Sequence, residues 1–395
     1  MQKLTNQERL RPWMGFVLFG ITMAIFLTVC VWMQTNWGIP GLILTELLLA
    51  AIAIVFCLVR KVKISEVLPI KKVTLRDFAG CIVLLIGTYF LSMISVFVTA
   101  FIFPSSAAEA SALGGFLYDG GLGLIPLILI VAVLPGICEE MLHRGALLST
   151  FRGLDKEWIA VVCVGLFFSI NHVSILRGPF TFILGAVFAY VVIKKNNILL
   201  TMIMHCMLNS TSICITYFTL KNSGLDAAST DLTVTPDMLG LYCAALFFAP
   251  ILFVTGKMIL MPETHKKKHF AIAGIISAVM LVGGIILMVA GTKTIFTANG
   301  PLNMAEGEER SFGGIGIEEE KDYTITLVVT GSEGNFRVEV TDENDELICG
   351  GNMDVSMMQM YNSTVHIDEG KTITVNLISL DGDPGENAQY TVMIK

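Results

Sequence analysis

The sequence predicts an all-α polytopic membrane domain of about nine transmembrane helices, followed by a C-terminal extracellular domain with a β-sandwich-like fold. Of the 395 residues, 54% are hydrophobic and 15% are charged, whereas about 25% of the residues in an average soluble chain are charged. Residues 1–300 include 14 acidic and 21 basic residues, but 301–395 include 19 acidic and 5 basic residues. Two parts of opposite charge favour two different environments.

Nine apolar stretches meet or approach the roughly 20 residues that a helix needs to cross a bilayer core of about 30 Å. They lie at about 13–33, 41–59, 78–103, 122–143, 158–175, 179–193, 197–219, 237–260 and 270–291. The first is too long for a signal-peptide core, so we expect it to be retained. The sixth is short, and its bounds are the least sharply defined. Together these spans make up a membrane domain over 1–295.

Basic clusters predict the orientation of the spans. Lysines and arginines precede the first span and follow the second, fourth, sixth and eighth, and these five clusters share one side if there are nine spans. The opposite loops, 34–40, 104–121 and 220–236, carry almost none. Since basic loops stay in the cytoplasm, we expect a multi-pass cell-membrane protein with a cytoplasmic N-terminus. Short basic clusters between apolar runs exclude a nucleic-acid-binding protein.

The acidic tail, 296–395, alternates polar and apolar residues in short runs, which is typical of β-strands. Four such runs lie at 323–330, 336–340, 371–377 and 390–394, and the segments 331–334 and 381–385 supply turns. We interpret the tail as an extracytoplasmic domain of six to eight strands. Its acidity is typical of a solvated surface, and nothing in its residues identifies its extracellular partner.

Ionisable residues inside apolar spans are energetically expensive and usually functional. Glu46 stands alone in the second span, and we interpret it as an interhelical hydrogen-bonding carboxyl. The other polar residues cluster in the fourth, fifth and seventh spans: Glu139, Glu140, His143, Arg144, His172, His205 and Asn209. At a rise of about 1.5 Å per residue from the nearest basic flank, Glu139, His172 and His205 all lie roughly 15–24 Å deep.

The spacing of these residues indicates which side chains share a helix face. Glu140 and Arg144 are four residues apart, and so are His205 and Asn209, so each pair lies on one face. Glu139 is about 100° around the helix from Glu140. A carboxylate and two imidazoles at one depth can activate water, either directly or through a metal. The alternative is that all of them simply join helices by hydrogen bonds.

Three motifs in order, Glu139-Glu140-x-x-x-Arg144, Phe168-x-x-x-His172 and His205-x-x-x-Asn209, resemble those of the CPBP family of intramembrane proteases. That family includes CAAX prenyl endopeptidases of the Rce1 type and bacteriocin-processing or bacteriocin-immunity proteins. The resemblance covers about 120–215. It implies that Glu139 activates water with His172 as its partner. It also implies that His205 and Asn209 bind the oxyanion or a metal, and that Glu140 and Arg144 support them.

Two further features of the fourth span bear on this expected site. Pro135 cannot donate a hydrogen bond to the carbonyl of Val131, which predicts a kink one turn before Glu139. His143 departs from the family pattern, which often has an aromatic or aliphatic residue at this position, and it sits one turn from Glu139.

The resemblance leaves the cofactor open. Glu139, His172 and His205 suit zinc, which takes three protein ligands and a water in catalytic sites, and the same groups suit a metal-free mechanism. We expect the substrate to be a membrane-associated or lipid-modified protein or peptide.

One alternative function is that of a non-catalytic membrane partner-binding or bacteriocin-immunity protein. Another is a transporter with a midplane ionisable site. The spans contain no HExxH, no GxSxG-like serine and no aspartate pair, which disfavours other intramembrane protease types.

Overall fold

The structure is a computed structural model that describes residues 10–103, 106, 122–223, 234, 236–264, 266–291, 295–302, 304–330, 334–353, 358–380 and 389–395. The chain divides into two compact units, Met1–Met288 and Val289–Lys395. The described residues of the first unit are helical, and those of the second form β-strands. The predicted combination of a helical membrane domain and a β domain is therefore confirmed. The boundary expected from the sequence, 295/296, falls near the start of the second unit.

The described part of the first unit contains nine long helices, one for each predicted span. They are α1 Pro12–Trp37, α2 Ile39–Arg60, α3 Leu75–Ile102, α4 Leu124–Phe151, α5 Glu157–Asn171, α6 Gly178–Lys195, α7 Ile198–Ser223, α8 Pro236–Leu260 and α9 Lys267–Gly291. Eight are long and apolar enough to cross a membrane, whereas α5 has only 15 residues. The protein is thus a multi-pass membrane protein.

The fifth helix is shorter than the sequence predicts. The apolar run continues to residue 175, but α5 ends at Asn171 and His172 caps it. The helix cannot continue because Val173 adopts φ of 45°, in the left-handed region that β-branched residues disfavour. The sixth helix, whose bounds were the least sharply defined in the sequence, is a regular 18-residue helix.

Several basic clusters gather at one end of the helical unit. Arg76 Nε, at the start of α3, donates to the carbonyl of Ile259 at the end of α8, at 2.9 Å. Arg152 Nη1, just after α4, donates to Asn196 Oδ1, just after α6, at 2.9 Å. The cytoplasmic flanks inferred from charge alone are therefore neighbours in the fold.

The helix α4 is irregular on both sides of its two glutamates. The turns Leu129–Val133 and Met141–Leu147 are π-helical and flank the α-helical stretch Leu134–Glu140. The carbonyl of Val131, which Pro135 leaves without its usual donor, accepts a hydrogen bond from Asn209 Nδ2 on α7 at 3.1 Å. A π-helical turn therefore lies just before Pro135, and a side chain from another motif helix binds the carbonyl that Pro135 frees; the predicted kink itself stays a prediction.

Glycines permit close contact between the motif helices. A Cβ added to Gly136 on α4 would lie 2.4 Å from Cys206 Sγ on α7, and one added to Gly185 on α6 would lie 3.0 Å from Gly165 Cα on α5. No larger residue fits at these points without moving a helix. Both contacts lie within one turn of a motif residue, so glycine sets the separation of the helices that carry the site.

The second unit consists of two four-stranded antiparallel sheets with the orders β1-β8-β3-β6 and β2-β7-β4-β5. Its strands are β1 Phe296–Pro301, β2 Glu309–Gly316, β3 Lys321–Thr330, β4 Phe336–Thr341, β5 Leu347–Met353, β6 Met358–Ile367, β7 Thr372–Ser379 and β8 Gln389–Ile394. In β7 every second side chain is buried, as the alternation predicts. The four predicted strand runs lie in β3, β4, β7 and β8. The predicted turns at 331–334 and 381–385 lie almost entirely outside the described residues.

Candidate active site

The neighbouring glutamates of α4 have different environments. Glu140 is fully buried, and its Oε1 accepts a hydrogen bond from Arg144 Nη1 at 2.8 Å. The Glu139 side chain retains 13% of its exposure, and its Oε2 has no hydrogen-bond partner. Consecutive helical residues point about 100° apart, which accounts for the separation. One oxygen of Glu140 is thus committed to an internal ion pair, and the Oε2 atoms of both glutamates are buried without a hydrogen-bond partner.

The charge of Arg144 is balanced by Glu140, and its guanidinium is enclosed by neighbouring helices. Its Nη2 also donates to the carbonyl of Gly185 at 3.4 Å. Its guanidinium carbon lies 4.3 Å from the ring centroid of Phe168 and 5.2 Å from that of Phe188. These cation–π contacts tie α4 to α5 and α6.

His205 on α7 lies between the two glutamates. Its Nδ1 donates to Glu140 Oε1 at 3.1 Å, and its Nε2 lies 4.0 Å from Glu139 Oε2. The bond to Glu140 fixes the orientation of the ring and directs Nε2 toward Glu139. The distance of 4.0 Å is too long for a direct hydrogen bond.

His172 presents its ring in a similar way. Its Nδ1 donates to the carbonyl of Phe168 at 2.8 Å, so the neutral ring keeps its Nε2 lone pair. The Phe168 ring packs edge-on against His172 and His205, with centroid distances of 4.8 and 5.8 Å. Phe168 therefore contacts two of the predicted site residues in addition to Arg144. The motif contained Phe168, but sequence reasoning gave it no role at the site.

Asn209 and His143 have structural contacts. The Asn209 amide donates one hydrogen bond to the carbonyl of Val131, and a second N–H of the same group remains. His143 is buried and donates from Nδ1 to the carbonyl of Glu139 at 2.9 Å, while its Nε2 has no partner. The sequence predicts that His143 sits one turn from Glu139, and the structure adds that it holds the Glu139 backbone.

Glu46 on α2 belongs to the same neighbourhood, although the sequence analysis set it apart. Its side chain is 5% exposed, its Oε2 has no partner, and it interacts electrostatically with Glu139. Helix α2 packs against the stretch of α4 that carries Glu139. Which helices pack together depends on tertiary structure. The sequence spacing of a single glutamate in a separate span therefore could not predict that Glu46 lies near Glu139.

The donor types suit a metal, but their spacing is wide. His172 and His205 each have one ring nitrogen bound to a carbonyl or carboxylate, and histidines that bind metals usually hold their other nitrogen in this way. Among the described residues, however, three potential ligand atoms lie within 4.8 Å of one another only at the exposed group Glu320, His366 and Asp368. In this arrangement Glu139, His172 and His205 do not close around an ion.

Comparison with known proteins identifies the helical core. Residues 121–211 match the family model described as type II CAAX prenyl endopeptidase Rce1-like. No curated protein matches the chain. Two solved structures are similar at low identity. One is the C-terminal CBM6 of LamC, a marine laminarinase from Zobellia galactanivorans (16% identity, TM-score 0.20), which covers 26% of this chain and 93% of that one. The other is a family GH115 4-O-methyl-alpha-glucuronidase with specificity for decorated arabinogalactans (10% identity, TM-score 0.21), which covers 47% of this chain and 32% of that one. The three motifs all lie within this matched segment, so the family match confirms the resemblance drawn from them.

Proposed function

We propose that this protein hydrolyses a peptide bond of a membrane-associated or lipid-modified substrate, using Glu139 to activate water. The available Glu139 carboxylate carries this proposal. It has an unpartnered oxygen 4.0 Å from Nε2 of His205, in a site otherwise occupied by the Glu140–Arg144 ion pair.

The proposed reaction begins with a water bound between Glu139 and His205. Glu139 takes one proton as the water oxygen attacks the carbonyl carbon of the scissile bond, which forms a tetrahedral oxyanion. The remaining N–H of Asn209 is the donor that we assign to this oxyanion, with His172 as the partner of Glu139. Glu139 then returns the proton to the leaving nitrogen as the carbon–nitrogen bond breaks. The products are a free carboxyl and a free amine.

Glu139→Gln tests this assignment directly. The change keeps the size of the side chain and removes the base, so we expect cleavage of candidate membrane peptides in liposomes to fall at least about 100-fold. The melting temperature should stay near the wild-type value because Glu139 Oε2 makes no hydrogen bond. Exposed Glu263 is the matched control, and Glu263→Gln should cleave at the wild-type rate.

The outcomes of this assay separate the candidate functions. Cleavage by Glu139→Gln at the wild-type rate would contradict the assigned base. A wild-type protein that binds a membrane peptide stoichiometrically without cutting it would support the non-catalytic alternative, namely a partner-binding or bacteriocin-immunity protein.

Zinc is the alternative that the donor set supports. Glu139, His172 and His205 would hold the ion if the helices moved closer together, and the ion would then supply Lewis acidity to the bound water. The wide spacing favours the metal-free form. We therefore expect purified protein to contain less than stoichiometric zinc by elemental analysis, and complete chelation to leave cleavage unchanged. If chelation abolishes cleavage and added Zn²⁺ restores it, the metal-free mechanism is wrong and a zinc mechanism takes its place.

A further inference from the structure

A cavity of about 860 Å³ opens at the basic end of the helical unit, away from the candidate active site. One wall is the segment 64–71, which follows α2, and the opposite side includes Ser149 and Arg152 at the end of α4. Arg152 is 13 residues after Glu139, which is roughly 20 Å along the helix. The proteolytic mechanism does not use this cavity.

Arg152 supplies the cavity with hydrogen-bond donors that lack acceptors. Its Nη1 donates to Asn196 Oδ1, but Nε and Nη2 are buried without a partner. No ion pair of Arg152 is found in the described part of the chain. The one carboxylate among the lining residues, that of Glu66, is exposed and pairs with Lys63 at 3.3 Å. The Nε and Nη2 groups form one edge of the guanidinium, which can bind two phosphate oxygens in parallel once a change of side-chain rotamer exposes this edge to the cavity.

Much of the remaining wall is apolar and held in place, and Ser65, Lys71, Ser149 and Asn196 add polar groups. Side chains of Leu10, Ile64, Val67, Leu68 and Ile70 line it. The wall is fixed to the start of α7, because the amide of Ile198 donates to Pro69 O at 2.8 Å and that of Lys71 donates to Asn197 Oδ1 at 3.0 Å. A preformed site with one cationic edge and an apolar wall suits an amphiphile with an anionic head.

We propose that this cavity binds an anionic phospholipid, with the phosphate on the Nε–Nη2 edge of Arg152 and an acyl chain against the 64–71 segment. The location agrees with this ligand, since Arg152 directly follows the last residue of a membrane-crossing helix and lies at headgroup level whichever way the bundle faces. Lys71 adds a second cation beside the cavity. A free phosphate would satisfy Arg152 but leave the apolar wall uncovered.

Native mass spectrometry of the full chain in detergent tests the proposal, with phosphatidylglycerol, phosphatidylcholine and inorganic phosphate as probes. We expect phosphatidylglycerol to bind the wild type more tightly than phosphatidylcholine. Arg152→Gln should weaken phosphatidylglycerol binding about tenfold, which is the loss of one charge-assisted contact pair. Lys72→Gln removes the same charge from an exposed neighbour outside the cavity and should change binding less than about twofold.

Other results would overturn the assignment. Equal phosphatidylglycerol binding by Arg152→Gln and wild type would remove Arg152 from the site. Inorganic phosphate that binds alone and displaces the lipid would identify a free anion as the ligand. If Arg152→Gln does not fold, photoactivatable phosphatidylglycerol on the wild-type chain decides: we expect crosslinks within 64–71, and crosslinks confined to other segments would refute the cavity.

Discussion

The carboxyls of Glu139 and Glu140 are adjacent in the sequence, yet the structure gives them separate tasks. Glu140 accepts hydrogen bonds from Arg144 and His205, so one buried carboxylate orients both a cation and a ring. Glu139 has a side chain that is 13% exposed and a buried Oε2 without a hydrogen-bond partner. Truncating Glu140 should therefore damage folding as well as activity, whereas changing Glu139 should affect activity alone.

Glu140→Ala leaves Arg144 charged and unpaired in a buried setting, which costs about 3–5 kcal/mol in comparable proteins. We expect a large fall in the melting temperature in detergent together with loss of cleavage. The double variant Glu140→Leu/Arg144→Met removes both charges and should recover much of the melting temperature but none of the cleavage. A single variant that melts at the wild-type temperature would contradict the role of this pair.

The residue scale also shows the limits of prediction from sequence. Glu139, Glu140, Arg144 and His205 could be grouped because periodicity and depth are local properties of each span. The role of Glu46 was interpreted without a partner, because its proximity to Glu139 depends on which helices pack together. The hydrogen bond from Asn209 to Val131 was likewise not foreseen, although the freed carbonyl was.

Among the elements, the contact between α4 and α7 determines whether the motifs meet. Gly136 lies one turn before Glu140, and Cys206 directly follows His205, so their contact sets the distance between the base and its imidazole neighbour. The sequence marks Gly136 only as part of the Pro135-Gly136 pair. Close contact with a particular helix could not be deduced from it.

Gly136→Ala tests this contact. The added methyl would lie 2.4 Å from Cys206 Sγ and 3.1 Å from Cys206 N, so α7 must move. We expect a destabilisation of about 1–3 kcal/mol from overpacking and a large loss of cleavage. Gly20→Ala is the control, since a methyl there meets nothing within 4 Å. Equal cleavage by the two variants would mean that the α4–α7 distance is not critical.

At the scale of the whole molecule, the charge pattern agrees with the arrangement of the described helices, eight of which are long and apolar enough to cross a membrane. The basic flanks are neighbours at one end, as described for Arg76 and Arg152. The helices α8 and α9 are antiparallel, because Gly240 near the start of α8 packs against Gly284 near the end of α9. The last turn of α9 therefore lies at the end of the bundle opposite the basic flanks. The side of the membrane on which the β unit lies is the remaining proposal.

We propose that the N-terminus is cytoplasmic and the β unit extracytoplasmic, and labelling of intact cells tests this. In a Cys349→Ser background, Glu369→Cys places a thiol on an exposed turn of the β unit, and Lys72→Cys places one at the basic end of the bundle. A membrane-impermeant maleimide should label the first variant in intact cells and the second only after lysis. The reverse pattern would invert the topology.

The short helix α5 has a consequence for the bilayer. Fifteen residues extend about 22 Å, some 8 Å less than the hydrocarbon thickness of a typical membrane, and His172 caps the end that falls short. If α5 crosses the bilayer, the lipids beside it compress to match its length, at a fraction of a kcal/mol for each ångström of mismatch. That thinning would bring interfacial water toward His172, so acyl-chain length in the host membrane becomes a control on how readily the hydrolytic water reaches Glu139.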